Sequence, residues 1–106
     1  MASQKIYADQ WFDQFGRLSW PDTKARLSGL ADFLQKNPDY VGYIGYRWRT
    51  ENESKEIKRL MPKYLAYLKT TWKLKNKIVI VDAGQSRDGY LVILEPVKAG
   101  VIPPRF

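Results

Sequence analysis

Histidine and cysteine are both missing from this 106-residue sequence. Without them the chain has no Ser-His or Cys-His nucleophile, no disulfide framework and no ordinary zinc, copper or haem site. Carboxylate, lysine, tyrosine and serine chemistry remains. The lack of cysteine does not fix the compartment, because reduced cytosolic domains and disulfide-free periplasmic domains can both lack it. We expect no metal and no cofactor.

Long hydrophobic runs are missing as well. The longest apolar stretch is Ile78 to Val81, whereas a membrane-spanning helix needs roughly 18 such residues. Residues 1–5 lack the apolar core of a signal peptide. We therefore expect a soluble protein without a membrane span. At this length the chain forms one small domain, residues 1–106 with a core over about 5–95, which excludes a lidded multi-domain enzyme.

Positive charge is present in excess, and it is concentrated in one segment. Residues 1–46 contain five basic and five acidic side chains, and residues 78–106 contain three of each. The net charge of +7 therefore lies entirely in residues 47–77, with ten basic and three acidic side chains. The positive electrostatic potential is therefore strongest near residues 47–77, and any function of the charge depends on this segment.

Hydrophobic periodicity and capping signals divide the chain into six elements. Ser19 and Asp22, with Pro21 between them, indicate the start of a helix that Asn37 and Pro38 end. Residues 50–54 form a turn, Pro62 kinks or breaks the second helix, and residues 83–89 form a connection of hairpin length. Residues 96–106 are a nonregular tail. The elements are a strand within 5–16, a helix over 19–37, a strand over 40–49, a helix over 54–73, and strands over 77–82 and 90–95.

The predicted order is β-α-β-α-β-β, which indicates an α+β fold. A chain this short cannot build two helical layers, so we expect a two-layer sandwich with both helices on one face of a four-stranded mixed sheet. Gly42 and Gly45 in the second strand allow a close backbone approach or a bulge. The bare face of such a sheet is a surface for homodimer formation.

Several segments resemble the C-terminal outer-membrane protein A (OmpA-like) domain family in order and spacing. They are Phe12-Asp13-Gln14-Phe15-Gly16, Leu18-Ser19, the apolar stripe from Leu27 to Leu34, Asn37-Pro38-Asp39, Tyr67-Leu68, and Ile78 to Gly84. The resemblance covers about residues 10–95. It is closer still to small uncharacterised bacterial extracytoplasmic proteins of the same frame, which have a shortened loop after the second strand. It implies an extracytoplasmic, periplasmic or secreted, cell-envelope protein.

The sequence departs from that family at both of its ligand-binding positions. The family has an Asp in a loop after the second strand, where this chain has Arg47 to Thr50. The family's Arg on the second helix falls near Leu60, one residue from Arg59. The peptidoglycan function of the family is therefore not carried over with its residues.

The second helix separates its apolar and basic side chains. Apolar and aromatic residues fill one side: Ile57, Leu60, Met61, Tyr64, Tyr67, Leu68 and Trp72. Six basic residues fill the other side, the basic helix face: Lys55, Lys58, Arg59, Lys63, Lys69 and Lys73. Such a row concentrates anions by its summed potential. The alternative is an ordinary solvated helix face.

Aromatic and basic residues alternate at the end of the second strand. Arg47, Trp48 and Arg49, with Tyr43 and Tyr46 before them, resemble a platform on which bases or sugar rings stack. The RNA-recognition fold needs two adjacent strands between its helices, and this chain offers one. In a two-layer fold one face of each strand is core, so Tyr46 and Trp48 are more simply structural.

Two pairs of carboxylates, Asp9 with Asp13 and Asp82 with Asp88, are the candidates for acid-base chemistry or a hard cation. Loop carboxylates more often form turns, and Ser86-Arg87-Asp88 is most simply a hairpin tip. We therefore expect a noncatalytic binding or scaffold domain. Its basic helix face and Arg47 to Arg49 would engage an anionic partner, either a cell-envelope polymer or an acidic protein surface. The alternative is a nucleic-acid-binding module that uses the same residues.

Overall fold

The computed structural model describes residues 11–106. It confirms the α+β class and the order β-α-β-α-β-β. The elements are β1 (Asp13–Phe15), α1 (Trp20–Lys36), β2 (Tyr40–Trp48), α2 (Glu51–Ala66), a π-helical segment (Tyr67–Thr71), β3 (Ile78–Gln85) and β4 (Leu91–Lys98).

The sheet has four strands in the order β1-β4-β2-β3. β2 runs parallel to β3 and antiparallel to β4, and β4 is antiparallel to β1. The predicted hairpin between the last two strands is therefore wrong, because β2 lies between them. The connection crosses the end of β2, where the Ser86 amide donates to the Trp48 carbonyl at 2.7 Å. Gly84 and Gly89 correctly predict that the chain reverses its direction between β3 and β4. Only pairing with β2 decides which strand lies next to each of them.

The first strand is much shorter than its prediction. Within the described residues it covers only Asp13–Phe15, with Phe15 opposite Val92 of β4. Residues 5–10 of the predicted strand lie outside the described residues.

α1 forms as its capping signals predict. The Ser19 hydroxyl accepts a hydrogen bond from the Asp22 amide at 3.3 Å, and the helix ends at Lys36 with Asn37 as its cap. Leu27, Leu30, Ala31 and Leu34 are fully buried. The spacing of these residues places all four on one side of a helix, which is the side that faces the sheet.

α2 begins earlier than predicted and passes through its proline. Thr50 caps the helix by accepting from the Glu53 amide at 3.2 Å, so residues 51–54 are helical and not a turn. The helix is continuous across the exposed Pro62 to Ala66, which rules out the predicted break there. The geometry then changes to π-helical, with the Trp72 amide donating to the Tyr67 carbonyl at 3.1 Å.

Both helices cover the same face of the sheet, as expected. The core combines residues of both helices with β1, β2 and β4: Phe15, Leu27, Leu30, Ala31, Leu34, Ile44, Tyr46, Ile57, Met61, Tyr64, Leu68, Leu74, Val92 and Leu94. α1 approaches β2 closely at Gly42, where a Cβ atom would lie 2.7 Å from Leu34. The predicted close approach at this glycine is confirmed.

The segment after the π helix is fastened to the end of α1 by one buried side chain. The side-chain nitrogen of Asn76, Nδ2, donates to the main-chain carbonyls of Leu34, Asn37 and Tyr40 at 3.1, 3.2 and 2.9 Å. These carbonyls belong to the end of α1 and the start of β2, where regular helical partners run out. Asn76 therefore joins the connection that follows α2 to α1.

The second face of the sheet is covered in part by the end of the described chain. The Phe106 ring packs on β2 at Gly45, where a Cβ atom would lie 2.5 Å from the ring. Arg47 donates to the main-chain oxygen of Phe106, and the Trp11 and Phe106 rings lie 5.2 Å apart. The predicted tail is nonregular only after Lys98, and the face expected to be bare is occupied at its centre by this tail.

Candidate functional site

All six residues of the basic helix face are exposed to solvent. Lys55, Lys58, Arg59 and Lys63 project from α2, Lys69 lies in the π-helical segment, and Lys73 follows it. Their separation from the apolar side confirms the predicted amphipathic pattern.

Few carboxylates balance this face. Within residues 11–106, the only ion pair of the basic helix face joins Lys58 Nζ to Asp82 Oδ2 at 3.8 Å. Two of the three acidic side chains of α2 are engaged elsewhere. Glu56 binds Arg17 at 2.7 Å, which lowers the pKa of its carboxyl group, and Glu53 accepts from the Arg49 amide at 2.7 Å.

Two lysines of the face have contacts that leave their charge uncompensated. Lys63 Nζ lies 4.3 Å from the centroid of the Trp20 indole, and Lys69 Nζ donates to the Asn76 carbonyl at 2.5 Å. A ring and a carbonyl carry no net charge, so both ammonium groups still contribute fully to the positive potential of the surface.

The strand residues Arg47, Trp48 and Arg49 do not form one platform. Side chains alternate along a strand, so Arg47 lies on the second face with Phe106, while Trp48 lies on the helix side and Arg49 is past the end of β2. Tyr46 is buried and Trp48 half-buried, which confirms their predicted structural role. The predicted stacking surface is thus divided between the two faces.

Asp82 holds the helix side of this strand end together. Its carboxylate accepts from Trp48 Nε1 at 2.9 Å, from the Gly84 amide at 2.9 Å and from the Tyr46 hydroxyl. These hydrogen bonds, that of Trp48 first, lower the pKa of Asp82. Asp82 is therefore an ionised structural acceptor that also positions Lys58.

Of the other candidate acidic residues, Asp13 forms an ion pair and Asp88 lies in a turn. Asp13 accepts from Arg26 at 2.5 Å, and Asp88 lies in a turn in which its amide donates to the Ser86 hydroxyl at 3.2 Å. Asp9 lies outside the described residues. No cluster of three potential metal-ligating side chains occurs in the part of the chain that the structure describes.

The structure also shows a groove that the sequence analysis did not find. It has a volume of about 440 Å³ and lies between the first turns of α1 and the last turns of α2 with the π-helical segment. Its lining residues are Trp20, Lys24, Lys63, Ala66, Tyr67, Thr70 and Thr71. Lys63 belongs to the basic helix face, so the groove opens directly beside that face. The paired hydroxyls of Thr70 and Thr71 at the end of an amphipathic helix were the available sequence signal.

A second groove, of about 450 Å³, lies at the C-terminal end of β3. It is lined by Arg49, Gln85, Ser86 and Arg87. Gln85 Nε2 donates to the Arg49 carbonyl at 2.8 Å, so this groove is bounded by the connection that crosses β2.

Between residues 11 and 106, no helix has the length and apolar character required to cross a membrane. Comparison with protein-family models, curated proteins and solved structures finds no match for this chain.

Proposed function

We propose that the protein is a noncatalytic binding domain whose basic helix face holds an anionic partner. The observation that carries this proposal is the missing counter-charge: of the six residues, only Lys58 has a carboxylate within ion-pair distance among residues 11–106. An anionic partner would supply the negative charge that the folded domain does not provide.

The spacing of the cations supports this role. Lys55, Arg59 and Lys63 are four residues apart on one helix, so they stand next to each other along its surface. Like charges at this spacing destabilise a helix by about 0.2–0.5 kcal/mol per pair. Glutamate in place of the middle cation would remove this repulsion. A bound polyanion would also remove it, because its negative groups would lie between the cations and attract them.

The shape of the surface favours a linear polymer. α2 has 16 residues, and the row from Lys55 to Lys63 extends about 12 Å along it, at 1.5 Å per residue. A polymer with regularly spaced anionic groups can contact such a line at several points. With the extracytoplasmic location that the OmpA-like resemblance implies, the partner we propose is an anionic cell-envelope polymer, with an acidic protein surface as the other source of the same charge.

The test is a charge reversal at two residues that have no ion pair within 11–106. Lys55→Glu with Arg59→Glu lowers the net charge from +7 to +3, because each reversal changes the charge by two. Binding is measured by co-sedimentation with cell-wall sacculi, and by titration with polyglycerol phosphate, poly-L-glutamate and single-stranded DNA, each at low and at about three-fold physiological salt. We expect polymer binding to weaken at least tenfold, about 1.4 kcal/mol.

The matched control is Arg87→Glu with Arg105→Glu, which also lowers the net charge to +3 but lies outside residues 47–77. It should bind within about twofold of the parent protein. Equal losses in both variants, or binding to none of the four probes, would overturn the proposal. Tighter binding to DNA than to the other probes would establish the nucleic-acid alternative in its place.

A further inference from the structure

The groove between α1 and the end of α2 has a chemically mixed lining. Trp20 and Ala66 provide apolar walls, Lys24 and Lys63 provide two ammonium groups, and the hydroxyls of Tyr67, Thr70 and Thr71 complete it. The groove is open to solvent, and its two ammonium groups attract an anion by their summed potential. The volume of about 440 Å³ falls in the range of small-ligand sites.

Both ammonium groups of the groove gather around Trp20. Lys24 Nζ lies 5.9 Å and Lys63 Nζ 4.3 Å from the centroid of its indole. Within residues 11–106 neither lysine has a carboxylate at ion-pair distance. Two uncompensated positive charges therefore face one small space.

The Tyr67 hydroxyl is hydrogen-bonded to Ser28, and it can donate to a ligand when Ser28 donates to it. Trp72 Nε1 can only donate, and it donates to the Ser28 hydroxyl oxygen at 3.4 Å. The Ser28 and Tyr67 hydroxyl oxygens are 2.7 Å apart, and either hydroxyl can donate to the other. When Ser28 donates to Tyr67, the hydrogen of Tyr67 is directed to a third group, and the groove is where that group can lie.

Electrostatics act on Tyr67 in the same direction. The hydrogen bond with Ser28 and the nearby charge of Lys24 lower the pKa of its phenol. A phenol that accepts such bonds is a stronger donor to an anion, because hydrogen bonds in a chain polarise one another.

The π-helical geometry presents the two threonines. In this segment the Trp72 amide bonds five residues back to Tyr67, and the Leu74 amide bonds six residues back to Leu68. The wider turn keeps Leu68 fully buried while Thr70 and Thr71 stay exposed at the groove. Single turns of this kind are frequent at functional sites.

We propose that this groove binds a phosphate group together with the sugar or polyol unit that carries it, and that it is the specific recognition site for the anionic partner. The inference rests on the proposed function in one respect: Lys63 is shared by the groove and the basic helix face, so a polymer lying on that face can place one of its phosphates in the groove.

Phosphate fits the donors better than carboxylate does. Two ammonium groups balance the two negative charges of a phosphate monoester, and three hydroxyls with two ammonium groups can surround the oxygens of a tetrahedral anion. A carboxylate has only two oxygens and one charge. The volume left beyond a phosphate accommodates a ring-sized unit against Trp20.

The experiment is a titration with glucose 6-phosphate, followed by the indole N–H signals of the four tryptophans in ¹⁵N-labelled protein. Glucuronate, a sugar with a carboxylate, is the comparison ligand. We expect the Trp20 signal to shift and the Trp48 signal to stay in place, with glucuronate binding at least tenfold more weakly. Tyr67→Phe, which keeps the ring and removes the donor, and Lys24→Gln should each weaken glucose 6-phosphate binding at least tenfold.

Lys75→Gln is the matched control, because Lys75 is exposed and outside the groove; its affinity should equal that of the parent. Unchanged affinity in Tyr67→Phe and Lys24→Gln, equal shifts of all tryptophans, or equal binding of glucuronate would overturn the proposal. The retained Trp20 and Trp48 signals show in the same spectra that each variant is folded.

Polyglycerol phosphate separates this inference from the proposed function. If Lys55→Glu with Arg59→Glu abolishes polymer binding while Tyr67→Phe and Lys24→Gln leave polymer and glucose 6-phosphate binding unchanged, the proposed function stands and the groove proposal fails. If the groove variants lose glucose 6-phosphate binding and no polymer binds at all, the groove is a site for a free sugar phosphate and the proposed function fails.

Discussion

α1 and α2 pack against the same face of the same sheet, but the charges on their outer sides are arranged differently. On α1, Arg26 pairs with Asp13 at 2.5 Å and Lys36 with Asp32 at 3.2 Å. On α2, Lys55 and Arg59 have no such pair among residues 11–106. Packing needs only one side of each helix, so the other side is free of the constraints of folding. Two of the three basic residues of α1 are thus paired, whereas on α2 only one of four is paired within residues 11–106.

The first prediction breaks the connection between the two helices. Asn76→Ala removes the donor that the carbonyls of Leu34, Asn37 and Tyr40 share. The Leu34 and Asn37 carbonyls keep the amides of Asn37 and Tyr40 as donors, so the cost is that of three lost hydrogen bonds at about 1 kcal/mol each, and we expect the free energy of unfolding to fall by about 3 kcal/mol. Urea denaturation followed by circular dichroism measures it.

Lys75→Ala is the control for this prediction, because its side chain is exposed next to Asn76 in the chain. It should change stability by less than about 0.5 kcal/mol. Asn76→Asp should not rescue stability, since an ionised carboxylate has no hydrogen to donate. Equal stability of the Asn76 and Lys75 variants would show that the two helices are held together in another way.

The second prediction sharpens the account of how closely α1 is packed. Gly42→Ala places a methyl group 2.7 Å from Leu34 and 3.0 Å from Ile78. Both contacts are with the ends of flexible side chains, so we expect a loss of about 1–2 kcal/mol from overpacking. Thermal denaturation of the variant against the parent protein measures the loss.

Gly29→Ala is the matched substitution. Gly29 lies on the outer side of α1, where an added Cβ meets nothing within 4 Å. It should stabilise the protein by about 0.5–1 kcal/mol, because alanine loses less backbone freedom in a helix than glycine does. If both alanines shift the melting temperature in the same direction, the close approach at Gly42 does not limit packing.

The third prediction concerns the ion pair between Lys58 and Asp82, and its effect is the smallest. The pKa of Asp82 is lower in the folded chain than in the unfolded chain, first because Trp48 donates to it. Its ionised form therefore stabilises the fold above the unfolded pKa of about 3.9, and this stabilisation is lost as the pH falls through the folded pKa. More than a third of the side chain is exposed, at 37%, so solvent screens much of the effect.

Asp82→Asn should flatten the dependence of stability on pH below about pH 4, as measured by urea denaturation at a series of pH values. The comparison variant is Asp39→Asn, which also removes an exposed carboxylate near a lysine, Lys98 at 3.9 Å. An Asp82→Asn profile as steep as that of the parent protein would contradict the role of Asp82 as an ionised acceptor.

Local signals predicted α1 almost to the residue. A hydroxyl at Ser19, the proline after it and the apolar spacing from Leu27 to Leu34 all act within one or two helical turns. The start of α2 was missed although the same kind of signal was present, because Thr50 with Glu53 three residues later is a capping pair within a polar run that resembles a turn. Of the two expected effects of Pro62, a kink or a break, the break does not occur, because the exposed position of Pro62 and the packing of Met61 and Tyr64 keep the helix continuous.

The candidate site was predicted only in part. The basic helix face follows from a period of 3.6 residues, and the structure places all six of its residues in solvent. Arg47 and Trp48 were expected to act together, but adjacent residues in a strand point to opposite faces, and only the sheet decides what each face contacts. The groove brings Trp20 near Lys63 from distant parts of the chain, and no sequence spacing reveals that.

The sequence by itself determined the order of the elements, the side of each helix that is buried and the segment in which the positive charge is concentrated. These are consequences of neighbours within a few residues along the chain. The tertiary structure alone decided the strand order with β2 between β3 and β4, the covering of Gly45 by Phe106, and which cations lack a carboxylate. Each of these depends on contacts between segments far apart in sequence, where pairing and packing, and not periodicity, select the neighbour.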